Sequence, residues 1–385
     1  MDDLTLRKFL IPEFIFGIDA RKLAGQYARN LGATKVMLVT DPTVTSAGWV
    51  TDVTKSLDQE NIPFIIYSNV SPNPRDFQVM TGVEEYKREK CDAIIAVGGG
   101  SVIDCAKGIG IVAANKQHIL TYEGVDMVPV AIPPLICIPT TGGSSADVSQ
   151  FAIINNTAEH VKIAIISKSV VPDLALVDPV TLTTLDPLLT AYTGIDALVH
   201  AFEAFVSNAS SVFTDMHAVK AIELIGGNLT NCIQNPMNVE LRGKIMLGSL
   251  HAGLAFSNAS LGCVHSMAHS LGGFLDLPHG KCNALLLPHI INFNYDAAPS
   301  KYEMIAQILS VTKSSSVTRE KRKALLNYTF RLLEESGITK TLQDEGVKQE
   351  DISVLAGKAI KDPCNATNPR KPSKNDLEVL YKEAM

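Results

Sequence analysis

The chain has 385 residues, more than one hydrophobic core usually fills, so its length predicts two domains. Hydrophobic residues make up 46% and charged residues 19%, and the net charge of −6 offers no basic surface to nucleic acid or anionic lipid. No apolar run reaches the ~18 residues that a membrane-spanning helix needs. The sequence therefore predicts neither a nucleic-acid partner nor a membrane partner.

The N-terminal residues and the cysteines indicate the compartment. The start, MDDLTLRKFLIPEF, lacks the basic-then-apolar layout of a secretory signal. The seven cysteines are scattered and form no CxxC pair, which argues against a disulfide framework. We therefore expect a cytoplasmic protein with reduced cysteines, and a homodimer or higher homo-oligomer as the default for soluble proteins that assemble.

Short β-branched runs alternate with helical patterns between residues 35 and 180. These runs are KVMLVT, PFIIYS, DAIIAV, PLICIP and LALVD. Such alternation predicts a doubly wound, mainly parallel sheet with helices on both faces. Strand signals end after DPVTLTTLDP, and the remaining chain has helical periodicity. We therefore expect an α/β domain over residues 1–182 and an all-helical domain over residues 183–385.

Two small-residue turns follow predicted strands and indicate a dinucleotide site. The first turn, after DAIIAV, contains Gly98, Gly99 and Gly100. The second turn, after PLICIP, offers the hydroxyl groups of Thr140, Thr141 and Ser144. Backbone amides at a glycine turn and a helix N-terminus can approach a pyrophosphate closely, and both turns fall at the carboxyl end of the sheet.

Both nucleotide signals have a structural alternative. Any doubly wound domain needs glycines at its strand-to-helix turns, and GGGS is neither GxGxxG nor a P-loop. Asp41, at the end of KVMLVTD, can accept hydrogen bonds from ribose hydroxyls and repel a 2′-phosphate, which would favour NAD over NADP. Asp41 followed by proline is equally a good helix N-cap. The two roles of Asp41 are compatible.

Four side chains in the second half have the chemistry and spacing of a divalent-metal site. They are Asp196, His200, His265 and His279. Asp196 and His200 lie four residues apart in GIDALVHAFEAF, whose helical period places both on one face. His279 lies between Pro278 and Gly280, which predict an interruption that turns its imidazole back toward the helix. One carboxylate and three imidazoles suit Zn or Fe(II) and leave a position open for catalysis.

The alternative for this set is structural as well. Nine histidines in one chain produce chance pairs at this spacing, and a histidine on an apolar helix is more often a hydrogen-bonded core residue. The residues alone leave the choice open.

The chain resembles the iron-dependent (group III) alcohol dehydrogenases from about residue 10 to the C-terminus. The motifs that carry the resemblance are GGGSVIDCAK, IPTTGGSSADVS, VPDLALVDP, GIDALVHAFEAF, SNASLGCVHSMAHSLGGFLDLPHGKCNALLLPH and DPCNATNPR. The resemblance implies an α/β half, an all-helical half and an active site in the cleft between them, as in dehydroquinate synthase-like folds.

The resemblance also assigns roles to matching positions. Asp196, His200, His265 and His279 would bind Fe(II), with Zn as an alternative. His269 would be an active-site histidine that does not bind metal, and it is our candidate for a proton relay because imidazole is the side-chain group best suited to exchange protons near neutral pH. Phe256 would line the substrate pocket. NAD would contact residues of the α/β half, namely Asp41, Asn73, Gly98, Gly99, Gly100, Ser101, Thr140, Thr141 and Lys162.

The implied reaction interconverts a small primary alcohol or diol and its aldehyde, with the metal as Lewis acid. The second turn departs from the family pattern, because TTGGSSAD stands where many relatives have TTAGTGSE, and this change bears on cofactor affinity and substrate choice. Glycerol dehydrogenases and dehydroquinate synthase-like lyases are alternatives. The lyases' phosphate-bearing substrate would need several cations, whereas Lys281 alone lies near the ligands in sequence. A non-catalytic metal or nucleotide sensor is a further alternative.

Overall fold

The structure, a computed structural model, describes residues 6–312 and 317–385. The chain divides into two compact units. The α/β unit comprises Leu10–Leu185 and Met237–Met246, and the helical unit comprises the described residues up to Phe9, Asp186–Pro236 and the described part of Leu247–Met385. The domain boundary at residue 182 stays a prediction of the sequence, three residues before the α/β unit's first segment ends.

The α/β unit contains two sheets. Its strands are β1 (Glu13–Phe16), β2 (Val36–Val39), β3 (Phe64–Tyr67), β4 (Ala93–Gly98), β5 (Gly124–Val125), β6 (Leu135–Pro139), β7 (Phe151–Asn156), β8 (Val161–Ile166) and β9 (Leu174–Val177). The main sheet is parallel with the order β1-β9-β6-β4-β2-β3. The small sheet has the order β5-β8-β7, in which β7 and β8 are antiparallel.

Helices cover both faces of the main sheet. They are α1 (Ala24–Asn30), α2 (Pro42–Ser46), α3 (Trp49–Gln59), α4 (Asp76–Arg88) and α5 (Gly100–Asn115). Successive residues of β2 point to opposite faces, so Met37 and Val39 lie in a core cluster with α4 and α5, whereas Val36 and Leu38 lie in one with α1 and α3. This arrangement confirms the predicted doubly wound fold.

All five predicted strands form, but the sequence did not predict β1, β5, β7 or β8. The β7–β8 hairpin turns between Asn156 and Val161, where His160 has a left-handed φ of 50°. Because glycine or asparagine usually occupies such a position, the turn lacks the ordinary hairpin signal.

Most of the helical unit lies after Leu185 in sequence. Its helices are α6 (Pro187–Val206), α7 (Val212–Gly226), α8 (Leu229–Gln234), α9 (Val239–Ala259, which begins in the α/β unit), α10 (Cys263–Leu275), α11 (His279–Asn294), α12 (Pro299–Ile308), α13 (Thr318–Glu335), α14 (Ile352–Ala359) and α15 (Lys374–Glu383). Among the described residues, no strand follows Val177. The helical second half predicted from the sequence is thus confirmed.

Helix α6 is the central element of the helical unit. It begins at Pro187 after the N-cap Asp186, whose side chain accepts a hydrogen bond from the Leu189 backbone N–H. Every residue from Gly194 to Val206 is buried. A helix buried on all sides carries its polar side chains into the core, so each of them needs a partner there.

Helix α11 begins at His279, with Pro278 at its N-cap. Gly280 is the second residue of this helix, so the expected interruption of regular structure at Gly280 is wrong. A Cβ at Gly280 would collide with the Tyr192 carbonyl oxygen and lie 3.3 Å from Cβ of Asp196. The glycine therefore permits α11 to pack closely on α6, which brings His279 near Asp196.

Two further sequence expectations concern the whole chain. All seven cysteines are buried and none forms a disulfide, as expected for reduced packing residues. Among the described helices, none combines the length and the apolar character that a membrane span requires.

Candidate nucleotide turns and metal centre

The predicted nucleotide residues of the α/β unit lie at one edge of its main sheet. Val39 of β2 is level with Ala96 of β4, and Gly98 of β4 is level with Pro139 of β6. Thr140 follows the end of β6 directly, and Asp41 lies two residues after the end of β2. The carboxyl ends of three adjacent strands therefore present these turns together, where open α/β sheets bind ligands.

The two small-residue turns contact each other. A Cβ at Gly99 would lie 3.0 Å from Cγ2 of Thr141, and one at Gly100 would lie 2.6 Å from Oγ of Ser144. Glycine is thus needed for the close approach. Gly99 is the N-cap of α5 and provides no side-chain cap, so the helix N-terminus suits an anion.

Three more predicted cofactor residues form a hydrogen-bonded chain. Lys162 Nζ donates to Oδ1 of Asn73 at 2.7 Å, and the Asn73 backbone N–H donates to Oγ of Ser101 at 3.2 Å. Asn73 has a left-handed φ of 56°, which asparagine tolerates better than most residues. The structure therefore brings Lys162 of β8 to the start of α5.

Asp41 is the N-cap of α2, which is the structural one of the two roles predicted for it. Its Oδ1 accepts a hydrogen bond from the Val44 backbone N–H at 2.9 Å, and Pro42 occupies the first helical position. The ribose contact of Asp41 stays a prediction.

Lys107 is a buried cation that the sequence reasoning missed. Its Nζ donates to the carbonyl oxygens of Ser149 at 2.7 Å and Phe151 at 2.8 Å, and thus holds the chain that continues the second turn. Burial lowers the pKa of Lys107, whereas nearby acidic groups, including Asp147, raise it. Burial raises the pKa of Asp147, the residue at which this chain departs from the family pattern, to about 6. Lys107 lies seven residues after Gly100 on α5, and this position in the sequence did not indicate that its side chain holds the chain after the second turn.

Three of the four predicted metal ligands converge in the helical unit. One ligand atom each of Asp196, His265 and His279 lies within 4.8 Å of the other two. Oδ1 of Asp196 is 3.9 Å from Nε2 of His265 and 3.8 Å from Nε2 of His279. Ligands of a tetrahedral ion with bonds of ~2.1 Å lie about 3.4 Å apart, so a small contraction closes this triangle around a cation.

A single amide group lies at the point of convergence. Nδ2 of Asn283 is 2.6 Å from Oδ1 of Asp196, 3.2 Å from Nε2 of His265 and 3.3 Å from Nε2 of His279. An amide has two hydrogens for these three acceptors, whereas a cation serves all three at once. Burial lowers the pKa of His265 well below its usual value, so this imidazole is neutral and able to bind a metal. The donor set therefore fits a divalent ion.

His200 lies beside this triangle. Its ring stacks on that of His265, with centroids 4.6 Å apart, and on that of Phe256, with centroids 4.3 Å apart. Both His200 and Phe256 are 3% exposed. The structure thus places the fourth predicted ligand and the predicted pocket residue next to His265, and a bond from His200 to the ion stays a prediction.

Glu203 is a buried carboxylate behind His265 that the sequence reasoning missed. Its Oε2 lies 2.6 Å from Nδ1 of His265. Burial raises the pKa of Glu203 to about 7, and the backbone N–H groups of Val264 and Gly262 act in the opposite direction. Glu203 lies seven residues after Asp196 on α6, and this spacing was a readable signal that the two share a face.

His269 has a carboxylate partner of its own. Its Nδ1 lies 2.7 Å from Oδ2 of Asp362, and its ring stacks on that of His279 with centroids 5.3 Å apart. Burial raises the pKa of Asp362, but His269 and the hydrogen bond from Cys364 lower it, and the net direction is down. The sequence separation of 93 residues gave no signal of this pair.

Cys364 completes a second group, with His269 and Asp362, whose potential ligand atoms lie within 4.8 Å of one another. Burial raises the pKa of Cys364 well above its usual value, which opposes the thiolate that a metal needs. We therefore interpret His269 and Asp362 as a hydrogen-bonded pair.

Comparison with known proteins covers nearly the whole chain. Residues 12–179 match the family model for iron-containing alcohol dehydrogenase, and residues 190–385 match the C-terminal model of the Fe-containing alcohol dehydrogenase family. Alcohol dehydrogenase 4 of Schizosaccharomyces pombe is 41% identical over 383 residues, covering 99% of this chain and 90% of that protein. NAD-dependent methanol dehydrogenase of Bacillus methanolicus is 35% identical, covering 98% and 99%.

A solved structure shares the whole architecture. The crystal structure of a 1,3-propanediol oxidoreductase superposes with a TM-score of 0.96 at 36% identity, covering 99% of this chain and 100% of that one.

Proposed function

This chain belongs to the iron-containing alcohol dehydrogenase family, and from that premise we propose that it interconverts a small primary alcohol or diol and the corresponding aldehyde. The enzyme is a metal-dependent, NAD-linked oxidoreductase. Relatives include a methanol dehydrogenase and a structurally matched 1,3-propanediol oxidoreductase, so small uncharged alcohols are the substrate class that we propose.

One observation carries the proposal for the metal. Oδ1 of Asp196, Nε2 of His265 and Nε2 of His279 converge from two buried helices and the start of a third. We propose that they bind Fe(II) together with His200. Zinc is the alternative, because carboxylate and imidazole ligands suit both ions.

When bound, the metal would supply Lewis acidity at the substrate oxygen, and NAD would supply the hydride acceptor or donor. The chain's own residues supply the rest. The carboxylate of Asp196 would offset part of the charge of the ion, and His265 would supply a neutral nitrogen ligand. The stacked rings of His200 and Phe256 provide an apolar wall that suits a short carbon chain.

We assign the movement of the proton to His269. Asp362 accepts a hydrogen bond from Nδ1 of His269, so Nε2 is the nitrogen left to exchange a proton with the substrate hydroxyl. The carboxylate of Asp362 stabilises the protonated imidazole that this exchange creates.

We assign NAD binding to the turns of the α/β unit. The amides of Gly98, Gly99 and Gly100 would hold the pyrophosphate at the start of α5. Hydroxyl groups of Ser101, Thr140, Thr141 and Ser144 and the polar heads of Asn73 and Lys162 would hold the remaining groups of the dinucleotide. Asp41 would accept from the adenosine ribose and disfavour a 2′-phosphate. Homodimeric assembly and cytoplasmic residence stay predictions of the sequence.

The experiment that tests this function is anaerobic purification with metal analysis, followed by an NAD-reduction screen over short primary alcohols and diols. We expect a bound divalent ion and NADH production, and we expect His265→Ala to lose the ion and turnover together. Turnover by metal-free His265→Ala protein would contradict the Lewis-acid role. NAD binding with no net NADH from any alcohol would instead favour a lyase.

A further inference from the structure

Glu203 joins two helices at the back of the metal site. Its side chain is buried, and it reaches from α6 to the N-terminus of α10. Its Oε1 accepts from the Val264 backbone N–H at 2.6 Å, and its Oε2 accepts from the Gly262 backbone N–H at 3.0 Å. Both oxygens therefore serve as acceptors toward groups that can only donate.

The same Oε2 atom is also 2.6 Å from Nδ1 of His265. The Asn283 amide nitrogen, which can only donate, is 3.2 Å from Nε2 of His265, so Nε2 is an acceptor and Nδ1 carries the proton that Oε2 of Glu203 accepts. A neutral imidazole has one N–H, so Nε2 of His265 holds the free lone pair. Nε2 is the atom that faces Oδ1 of Asp196 and the amide of Asn283.

We propose that Glu203 is a positioning residue that keeps His265 in its Nδ1–H tautomer and so presents Nε2 to the metal. This inference rests on the proposed function, because it concerns the ion that the function needs. Carboxylates behind metal-bound histidines fix ring orientation and raise ligand basicity, and their loss weakens metal binding by about 10- to 100-fold.

A second residue at the same helix end separates this role from helix capping. Oδ1 of Asn368 accepts from the Cys263 backbone N–H at 3.1 Å. A Cβ at Gly262 would lie 2.9 Å from Oε1 of Glu203 and 2.6 Å from Oδ1 of Asn368, so the turn is fitted to both side chains. Asn368 thus stabilises the start of α10 as Glu203 does, but its side chain hydrogen-bonds Cys263, Asn294 and Arg370 instead of His265.

The decisive variant is Glu203→Gln. Glutamine keeps the size of the side chain and one acceptor oxygen, but its amide nitrogen donates. A donor opposite Nδ1 favours the Nε2–H tautomer of His265, which cannot bind a metal through Nε2. We expect the Kd for zinc, measured by chelator competition on the full chain, to rise about 10- to 100-fold.

Asn368→Ala is the matched control. It removes a cap from the same turn, and we expect it to lower the melting temperature while its zinc Kd stays within about threefold of wild type. An unchanged Kd in Glu203→Gln would overturn the proposal. Equal weakening in both variants would also overturn it, because helix capping would then be the cause. Wild-type protein that binds no zinc would instead overturn the metal site itself.

A measurement on the wild-type chain keeps the proposal testable if Glu203→Gln does not fold. In zinc-loaded protein with ¹⁵N-labelled histidine, we expect His265 to show a protonated Nδ1 and an Nε2 without hydrogen, with the signal assigned by its loss in His265→Gln. A protonated Nε2 at His265 would overturn the proposal.

Discussion

The two units build their candidate sites by different means. In the α/β unit, the turns after β2, β4 and β6 lie together because parallel neighbours end at one edge, and much of the predicted binding comes from backbone amides. In the helical unit, side chains as far apart in sequence as Asp196 and Asn283 meet in the core. A backbone site tolerates many side-chain changes but no added Cβ at its glycines. A site of converging side chains depends on each of them and on the partners behind them.

The largest effect that we expect falls on the side-chain site of the helical unit, at Asp362. Asp362→Asn places an amide donor opposite Nδ1 of His269 and favours the tautomer with hydrogen on Nε2, which cannot accept the proton of an alcohol. We expect kcat for alcohol oxidation to fall about 100-fold with bound metal retained, as for loss of general acid–base catalysis.

Cys364→Ser is the control for Asp362→Asn, because the Cys364 backbone N–H that donates to Oδ1 of Asp362 survives the change and a serine hydroxyl can replace the thiol as a donor. Steady-state rates and metal content on the same preparations decide the outcome. A loss of metal that parallels the loss of rate in Asp362→Asn would show that Asp362 supports the metal ligands instead of the relay.

A smaller effect is expected in the backbone site, at Gly100. In Gly100→Ala, the new Cβ would lie 2.6 Å from Oγ and 2.7 Å from Cβ of Ser144, so the two turns must separate. We expect the Kd for NADH, measured by fluorescence titration, to rise about tenfold, or roughly 1.4 kcal/mol.

Two companion variants sharpen the Gly100 prediction. Ser144→Gly in the Gly100→Ala background removes the clashing atoms and should restore much of the affinity. Gly243→Ala on α9, where the nearest atom to a new Cβ is 3.8 Å away, should leave the NADH Kd unchanged. A wild-type Kd in Gly100→Ala would mean that the approach of the two turns is unimportant for the cofactor.

The smallest effect concerns acid stability. Seven of the nine histidines lie in the helical unit, so acid should act mainly there. Burial, with added repulsion from His217 and Lys220, lowers the pKa of His251 to about 4. Between pH 6.5 and about 4 the unfolded chain binds the extra proton, so the stability that is present above pH 6.5 falls as the pH falls through this window.

His251→Asn keeps a hydrogen-bonding side chain opposite Nδ1 of His217 and removes this titration. As the pH falls from 6.5 to 4, we expect the melting temperature of metal-free His251→Asn to drop by a few degrees less than that of the metal-free wild-type protein. His160→Asn, at an exposed turn, is the control and should follow the wild-type curve. Identical curves for wild type and His251→Asn would remove His251 as the cause.

The sequence predicted the fold best where one local pattern decides the structure. The five strands of the main sheet that the sequence predicted are apolar runs bounded by turn residues, and α6 has a clear helical period. The β7–β8 hairpin was missed because His160 takes a position that usually signals glycine. The small turns after Gly98 and Pro139 were predicted correctly for the same reason as the strands, because the residues next to each turn in sequence determine its structure.

Partners behind the metal ligands were harder to predict. The ligand set was proposed from residue chemistry and a family resemblance, and Glu203 shared a readable spacing with Asp196. Asp362 gave no such signal, because its pairing with His269 depends on how α10 and the chain after α14 come together. Asn283 lies one helical turn after His279, but its contact with Asp196 depends on the packing permitted by Gly280.

The three converging ligands of the metal site differ in how far their side chains are exposed to solvent. The His279 side chain is 27% exposed, whereas those of Asp196 and His265 are 6% and 1% exposed. Solvent, chelators and incoming ions therefore reach the centre from the start of α11, and we expect His279 to be the first anchor released during ion exchange. Asp196 and His265, which lie on buried helices, would keep their bonds to a departing ion longest. We therefore expect the ion to dissociate slowly and in steps.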